Sequence, residues 1–242
     1  MTLWFAALLA IGSPAGEVRF QAVPDDVAAS EVQAMAGSAV ADIERFFGHR
    51  FPRPVDFDLV PDRAAFDAAI PARLGMTPTQ CWMVGMGIAE RMLVLSPSAW
   101  KKDACEHDPG DKIELRRLIT HELIHVYHGQ NNASGDFTGE DDLAWFIEGV
   151  AVLGSGQLTD KRLADVRAAA AAGALPAKLD DIWTGKLRYG AAGSLAGYVD
   201  GKWGRKTIYK LLKARSTKEA LAMLGVSEAD LIAGWKLSLA AR

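Results

Sequence analysis

This chain has no apolar run near the roughly 20 residues that span a bilayer as a helix. It has no strong excess of charge either: 27 Lys and Arg stand against 30 Asp and Glu, a formal net charge of −3. That balance leaves no electrostatic footprint for nucleic acid, and no basic run marks a membrane surface. Repeats of 20–50 residues are missing, and the only biased tract is a short alanine run at 168–172, so solenoids and arrays are excluded. Cysteine is scarce. The two present, Cys81 and Cys105, cannot make a disulfide scaffold, and neither sits at a metal-binding spacing. They flank a segment that reads as a strand; an exported chain can join them, whereas a cytosolic one keeps two thiols. What is present is ordinary: 50% hydrophobic and 24% charged residues in 242. A chain of this kind buries a core as one domain, or as a domain with a closely packed subdomain.

The N-terminus carries one further signal. Leu3 to Ile11 is almost wholly apolar and is followed by Gly12-Ser13-Pro14-Ala15-Gly16. That is the length of a signal-peptide core with small residues behind it, although no Lys or Arg precedes it. Residues 1–16 are therefore expected to be an export leader, with a first buried strand as the alternative. The expected location is periplasmic or secreted if the leader is one, and cytoplasmic otherwise.

From residue 17 the pattern reads as α+β. Glu17 to Val23 suits a short strand. An alanine-rich helix runs to about Phe47 and stops at Gly48. Val55 to Val60 alternates as a strand with one buried face, and a short helix follows at 62–70. A Gly- and Met-rich stretch from Met83 to Ile88 leads into the apolar strand Arg91 to Leu95, and Lys102 to Asp111 is a polar loop. After Ile113 strand signals nearly vanish, and helices are expected at about 113–128, 141–153, 160–172, 189–201, 205–214, 217–224 and 228–241. Ser216 with Glu219, and Ser227 with Asp230, start the last two as capping boxes. The expected architecture is a single domain over 17–242, with a mixed β-sheet and helices in 17–112 and a helical part in 113–242.

The chemistry concentrates at His121-Glu122-Leu123-Ile124-His125. Residues four apart on a helix differ by only about 40° in direction and about 6 Å in height, so two imidazoles can meet one ion. The glutamate between them lies close enough to take a proton from a water that the ion activates. The motif sits in a helix-periodic run from Ile113 to Tyr127, with Gly129 beyond it. A third protein ligand is needed. His128 stands about 10 Å along the axis from His121, too far for one ion; it is expected beside the site or on the surface. A metzincin pattern is excluded, because His128 and Asn131 occupy the positions where that class has a glycine and a third histidine. The best third ligand is Glu148, in Trp145-Phe146-Ile147-Glu148-Gly149-Val150-Ala151. Its apolar company calls for a partner or a metal, and a polar loop of about a dozen residues lets its helix, capped by Asp141 or Asp142, fold back on the first.

These two segments, with the glutamate 23 residues after the second histidine, resemble the gluzincin zinc peptidases, above all the aminopeptidase-like branch and its small single-domain relatives. The resemblance covers about Ile113 to Leu212 and, loosely, the strands before it. It implies a zincin-like fold, one Zn²⁺ per chain on His121, His125 and Glu148, and Glu122 as general base. The segment Tyr189-Gly190-Ala191-Ala192-Gly193-Ser194-Leu195 is similar to the family's helix after the metal site, which places Tyr189 as oxyanion donor, with Tyr198 as the fallback. The family's G-x-M-E-N segment is replaced by Gly87-Ile88-Ala89-Glu90-Arg91, so exopeptidase specificity is not implied and Glu90 reads as a strand-edge charge. The expected function is a zinc metallopeptidase acting on a peptide or protein laid along an edge strand at Arg91 to Leu95. Two alternatives stand beside it: an inactive, zincin-shaped peptide- or protein-binding module, and a zinc hydrolase of a non-peptide amide or ester. His49 and His107 are expected on the surface, and the oligomeric state is open.

Overall fold

The structure, a computed structural model, describes residues 9–11 and 16–240. The leader expectation, on residues 1–16, lies outside them apart from the backbone of three residues and Gly16. The fold is α+β. The chain forms two compact units, one ending at Gln130 and the other beginning at Asn131.

The first unit holds a mixed sheet of five strands: β1 (Leu9–Ile11), β2 (Val18–Ala22), β3 (Val55–Val60), β4 (Gly85–Ile88) and β5 (Arg91–Leu95). Their order across the sheet is β1-β2-β3-β5-β4. The central strands β2, β3 and β5 are parallel, while β1 and β4 are antiparallel to their neighbours. Parallel neighbours need crossovers. Helix α1 (Ala29–Phe47) lies between β2 and β3 in the chain, and the short α2 (Arg63–Ala69) follows β3. The sequence accounts for each. In β3, Val55, Phe57 and Leu59 are buried while Asp56 and Asp58 alternate with them. Every residue of β5 after Arg91 is buried, which fits a strand flanked on both sides. Helix α1 buries Val32, Ala36, Ala39, Val40, Ile43 and Phe47, one stripe at helical spacing. It ends where Gly48, at φ 73°, turns left-handed.

Two corrections concern the strands. The stretch from Met83 to Ile88 is not merely a lead-in: its second half is β4, paired with β5. Consequently β5 is not an edge strand, because β4 covers it. Glu90 is exposed in the two-residue turn of that hairpin rather than on a strand edge. Glycines hid β4 from the sequence, since they weaken a strand signal and mark close approach of another backbone. The segment before β4 is pinned by a disulfide between Cys81 and Cys105. It is held also by Arg63, which donates to Thr79 Oγ1 at 2.9 Å and to the carbonyls of Met83 and Asp103 at 2.5 and 2.8 Å.

Helix α3 (Trp100–Asp103) is a single turn, and α4 (Lys112–Asn131) closes the first unit. Lys112 pairs with Glu31 at 2.7 Å, and Arg116 contacts Ser38 and Asp42 of α1. Further along, Tyr127 stacks on Phe47 with centroids 4.5 Å apart. From Ile119 to Gly129 every residue of α4 is buried, so this helix is covered all round rather than amphipathic.

The second unit is helical: α5 (Ala144–Gly154), α6 (Asp160–Ala171), α7 (Arg188–Trp203), α8 (Arg205–Leu211), α9 (Thr217–Leu224) and α10 (Glu228–Ala240). A 3₁₀ turn at Asp141–Leu143 precedes α5, and neither aspartate caps it. Asp142 instead accepts from the Thr217 amide at 2.8 Å, at the start of α9. Helices α5 and α7 pack backbone to backbone: a Cβ on Gly149 would lie 2.6 Å from the Ala192 carbonyl oxygen, and one on Gly193 would lie 2.5 Å from Val152. Ser216 and Ser227 accept from the Glu219 and Asp230 amides at 3.2 and 3.1 Å, as capping boxes require.

Candidate metal centre

Helix α4 places His121 and His125 one turn apart, and their Nε2 atoms lie 3.0 Å from each other. The rings meet edge to face, with centroids 4.7 Å apart. Both imidazoles are nearly inaccessible, at 6% and 7% exposure. Glu148, from α5, is half-buried and completes the group: one ligand atom from each of the three residues lies within 4.8 Å of the others. These three residues could hold a metal ion. On a tetrahedral ion with nitrogens about 2.0–2.1 Å away, two imidazole nitrogens sit about 3.3 Å apart, so the spacing seen fits such an ion with little movement. Two imidazoles and one carboxylate also make the donor set of an open, three-ligand site. His128 is not in this group, and it is fully buried rather than on the surface.

Glu122 is 8% exposed, and strand β4 lies against it. A Cβ on Gly85 would stand 2.7 Å from Glu122 Cγ and 2.8 Å from Oε1. A Cβ on Gly87 would stand 2.2 Å from the Glu122 carbonyl oxygen and 3.0 Å from His125 Cβ. Gln130, at the end of α4, donates to the Ala89 carbonyl at 3.1 Å and accepts from the Arg53 amide at 2.9 Å. Strand β4 therefore lies close against α4 at these two points, and at Gly87, where the neighbour is a helix carbonyl, only glycine fits. The sequence reading missed Gly85 and Gly87. The signal available was G-x-G within a short apolar run.

Tyr189 opens α7 and is half-buried. Its ring meets Trp183 edge to face at 4.9 Å, with the Arg162 and Arg188 guanidinium carbons 4.9 and 5.3 Å from its centroid. Ala192, one turn further along, touches Gly149, the residue after Glu148. Tyr198 is held elsewhere: its hydroxyl accepts from Lys202 at 3.1 Å, and it fills the space beside Gly234 of α10. His49 is exposed as expected, whereas His107 is half-buried with Nε2 2.9 Å from the Trp82 carbonyl.

No known family model matches the chain, and no curated protein matches it.

Proposed function

We propose that this chain is a zinc metallopeptidase of the gluzincin type, with a zincin-like fold. One observation carries the reading: two buried imidazoles at helical spacing and a carboxylate from another helix converge within 4.8 Å, with a buried glutamate between the imidazoles in sequence. His121, His125 and Glu148 would hold the ion. Bound zinc polarises a carbonyl and lowers the pKa of water towards about 7. Glu122 acts as general base, its carboxylate taking the proton from water and returning it to the leaving amine. Tyr189 donates its phenolic proton in a hydrogen bond to the oxyanion that develops on the attacked carbonyl. A structural zinc site needs no base, which favours an enzyme over an inactive binding module. The disulfide between Cys81 and Cys105 supports an oxidising compartment and hence export.

The test combines metal analysis with turnover. The purified protein is expected to carry about one zinc per chain and to cleave members of a mixed library of peptides, amides and esters. A chelator should stop that cleavage. Glu122→Gln should keep the metal and lose at least about a hundredfold in kcat/KM, the usual weight of a general base. Cleavage confined to esters or non-peptide amides would replace the peptidase reading with a broader hydrolase. A chain that binds zinc and cleaves nothing would leave the binding module, and full activity in the Glu122→Gln protein would refute the assigned base.

A further inference from the structure

The disulfide joins the two stretches of chain that lead into the contact at Glu122. Cys81 lies four residues before Gly85, where β4 begins, and Cys105 lies seven before Lys112, where α4 begins. Those are the two elements that meet at Gly85 and Gly87 against Glu122. Neither approach has regular structure of its own: residues 75–84 and 104–111 contain no helix or strand. The hydrogen bonds tie the same stretches together. The Cys105 amide donates to the Cys81 carbonyl at 3.1 Å, and His107 Nε2 lies 2.9 Å from the Trp82 carbonyl. Arg63 bridges them too, donating to the Met83 carbonyl at 2.5 Å and to the Asp103 carbonyl at 2.8 Å. The loop that the bond closes, 24 residues from one cysteine to the other, contains the whole β4–β5 hairpin. Beside Cys105, Glu106 is held at φ 65°, a left-handed conformation that residues other than glycine rarely adopt, so this loop can relax once it is released. Cys81 is exposed and Cys105 half-buried, which leaves the bond open to attack by a thiolate.

We propose that the Cys81–Cys105 bond positions Glu122 through β4, and that a dithiol which opens it turns the enzyme down. The inference rests on the metallopeptidase reading for what Glu122 does. One thiolate of the dithiol attacks Cys81 Sγ, the bond between the cysteines breaks, and Cys105 leaves as a thiolate that takes a proton from solvent. The second thiol of the reductant then displaces Cys81 as a thiol. The reductant departs as a disulfide, and the protein has gained two electrons and two protons. Hydrogen bonds at half-exposed positions are weak one by one, so without the covalent tie the Gly85 end of β4 moves off Glu122. The base then no longer stands where the proton is taken. The metal ligands His121 and His125 lie within α4 itself and keep their helical spacing. A chain made in a reducing compartment is therefore slack, and it reaches full activity where the bond closes.

The test compares the zinc-loaded chain in three forms: oxidised, reduced with a phosphine that is then removed, and reoxidised. A double variant, Cys81→Ser with Cys105→Ser, serves as the permanently open form. Amide exchange followed by NMR needs no substrate. Gly85 and Met86 are expected to exchange about tenfold faster in the reduced chain and the double variant, while Val55 to Val60 of β3 stay as protected as before. On any substrate that the oxidised chain cleaves, reduction should lower kcat about tenfold, the effect of a small displacement of a positioned group, with KM and zinc content nearly unchanged. Reoxidation should restore both readouts in the natural chain, and the double variant should respond to neither treatment. Unchanged exchange at Gly85 and Met86, or unchanged kcat, overturns the proposal. Loss of protection in β3 as well overturns it too, because the bond would then hold up the fold and not one contact. If no form cleaves anything, the peptidase reading fails and takes the role of the base with it. The exchange rates then still decide whether the bond holds β4 in place.

Discussion

A general base works only if its carboxylate is held where the proton will be. For Glu122, proposed above as the base, that task would fall on a contact with no side chain on one side. Glu122 lies against the bare Cα of Gly85, and its own carbonyl lies against Gly87. The two glycines differ in what an added methyl would meet. At Gly85 it meets the flexible end of Glu122, which can swing away. At Gly87 it meets a backbone carbonyl inside a helix, which cannot. Gly85→Ala is therefore expected to fold, to keep its metal, and to lose about ten- to a hundredfold in kcat/KM by moving the base. Gly87→Ala is expected to lose about 1–3 kcal/mol of stability as β4 and α4 are forced apart. Rates on a cleaved substrate, zinc content and urea midpoints of the two variants check this pair. Unchanged turnover in Gly85→Ala would show that β4 does not position Glu122. That His121 and His125 come together was legible from spacing, because a helix converts an interval of four into a shared face. The glycines were not, since what they contact is 35 or more positions away in the chain.

Among the elements, legibility followed how local the cause was. Helix α1 ended where Gly48 predicted, β3 spanned the alternating Val55 to Val60, and the two serine caps opened α9 and α10 as read. Each of those signals lies within a few residues of its effect. Strand order is not local, so the reading of β5 as an edge failed when β4 paired outside it. Asp142 looked like a helix cap, but it serves a helix 75 residues later. Burial adds a consequence that pairing alone would hide. Asp58 on β3 meets Arg91 of β5 at 2.8 Å. Yet burial raises its carboxyl above the ordinary 3.8, outweighing the lowering by Arg91, while Asp56 adds to the rise. The folded chain thus binds this proton more tightly than the unfolded one. Its contribution is full below 3.8 and is lost as pH rises through the folded value. Measured by urea midpoints, the stability of the unsubstituted chain relative to Asp58→Asn should fall as pH is raised from about 3 to about 7. A relative stability that climbs over that range would mean that Arg91 dominates after all.

At the scale of the whole molecule, the feature with the clearest thermodynamic consequence is the group of three residues that could hold a metal ion. Its donors come from positions 121, 125 and 148, and only folding brings the third to the other two. An unfolded chain holds no such site, so an ion that binds the folded form alone must stabilise it by linkage. At a free zinc concentration of about 100 times Kd the gain is about 2.7 kcal/mol. For a chain of this size that raises the unfolding midpoint by about 5–10 °C. Glu148→Gln should lose most of this rise, and His125→Ala essentially all of it, because an imidazole is the stronger partner for a borderline ion. Glu122→Gln should keep the rise in full, since its carboxylate is assigned to proton transfer and not to the ion. Thermal unfolding of the four proteins, with zinc and with chelator, separates ligand from base without needing a substrate. If zinc shifts the unsubstituted chain and Glu148→Gln by the same amount, the carboxylate is no ligand, and the three-residue centre reduces to a pair of adjacent histidines.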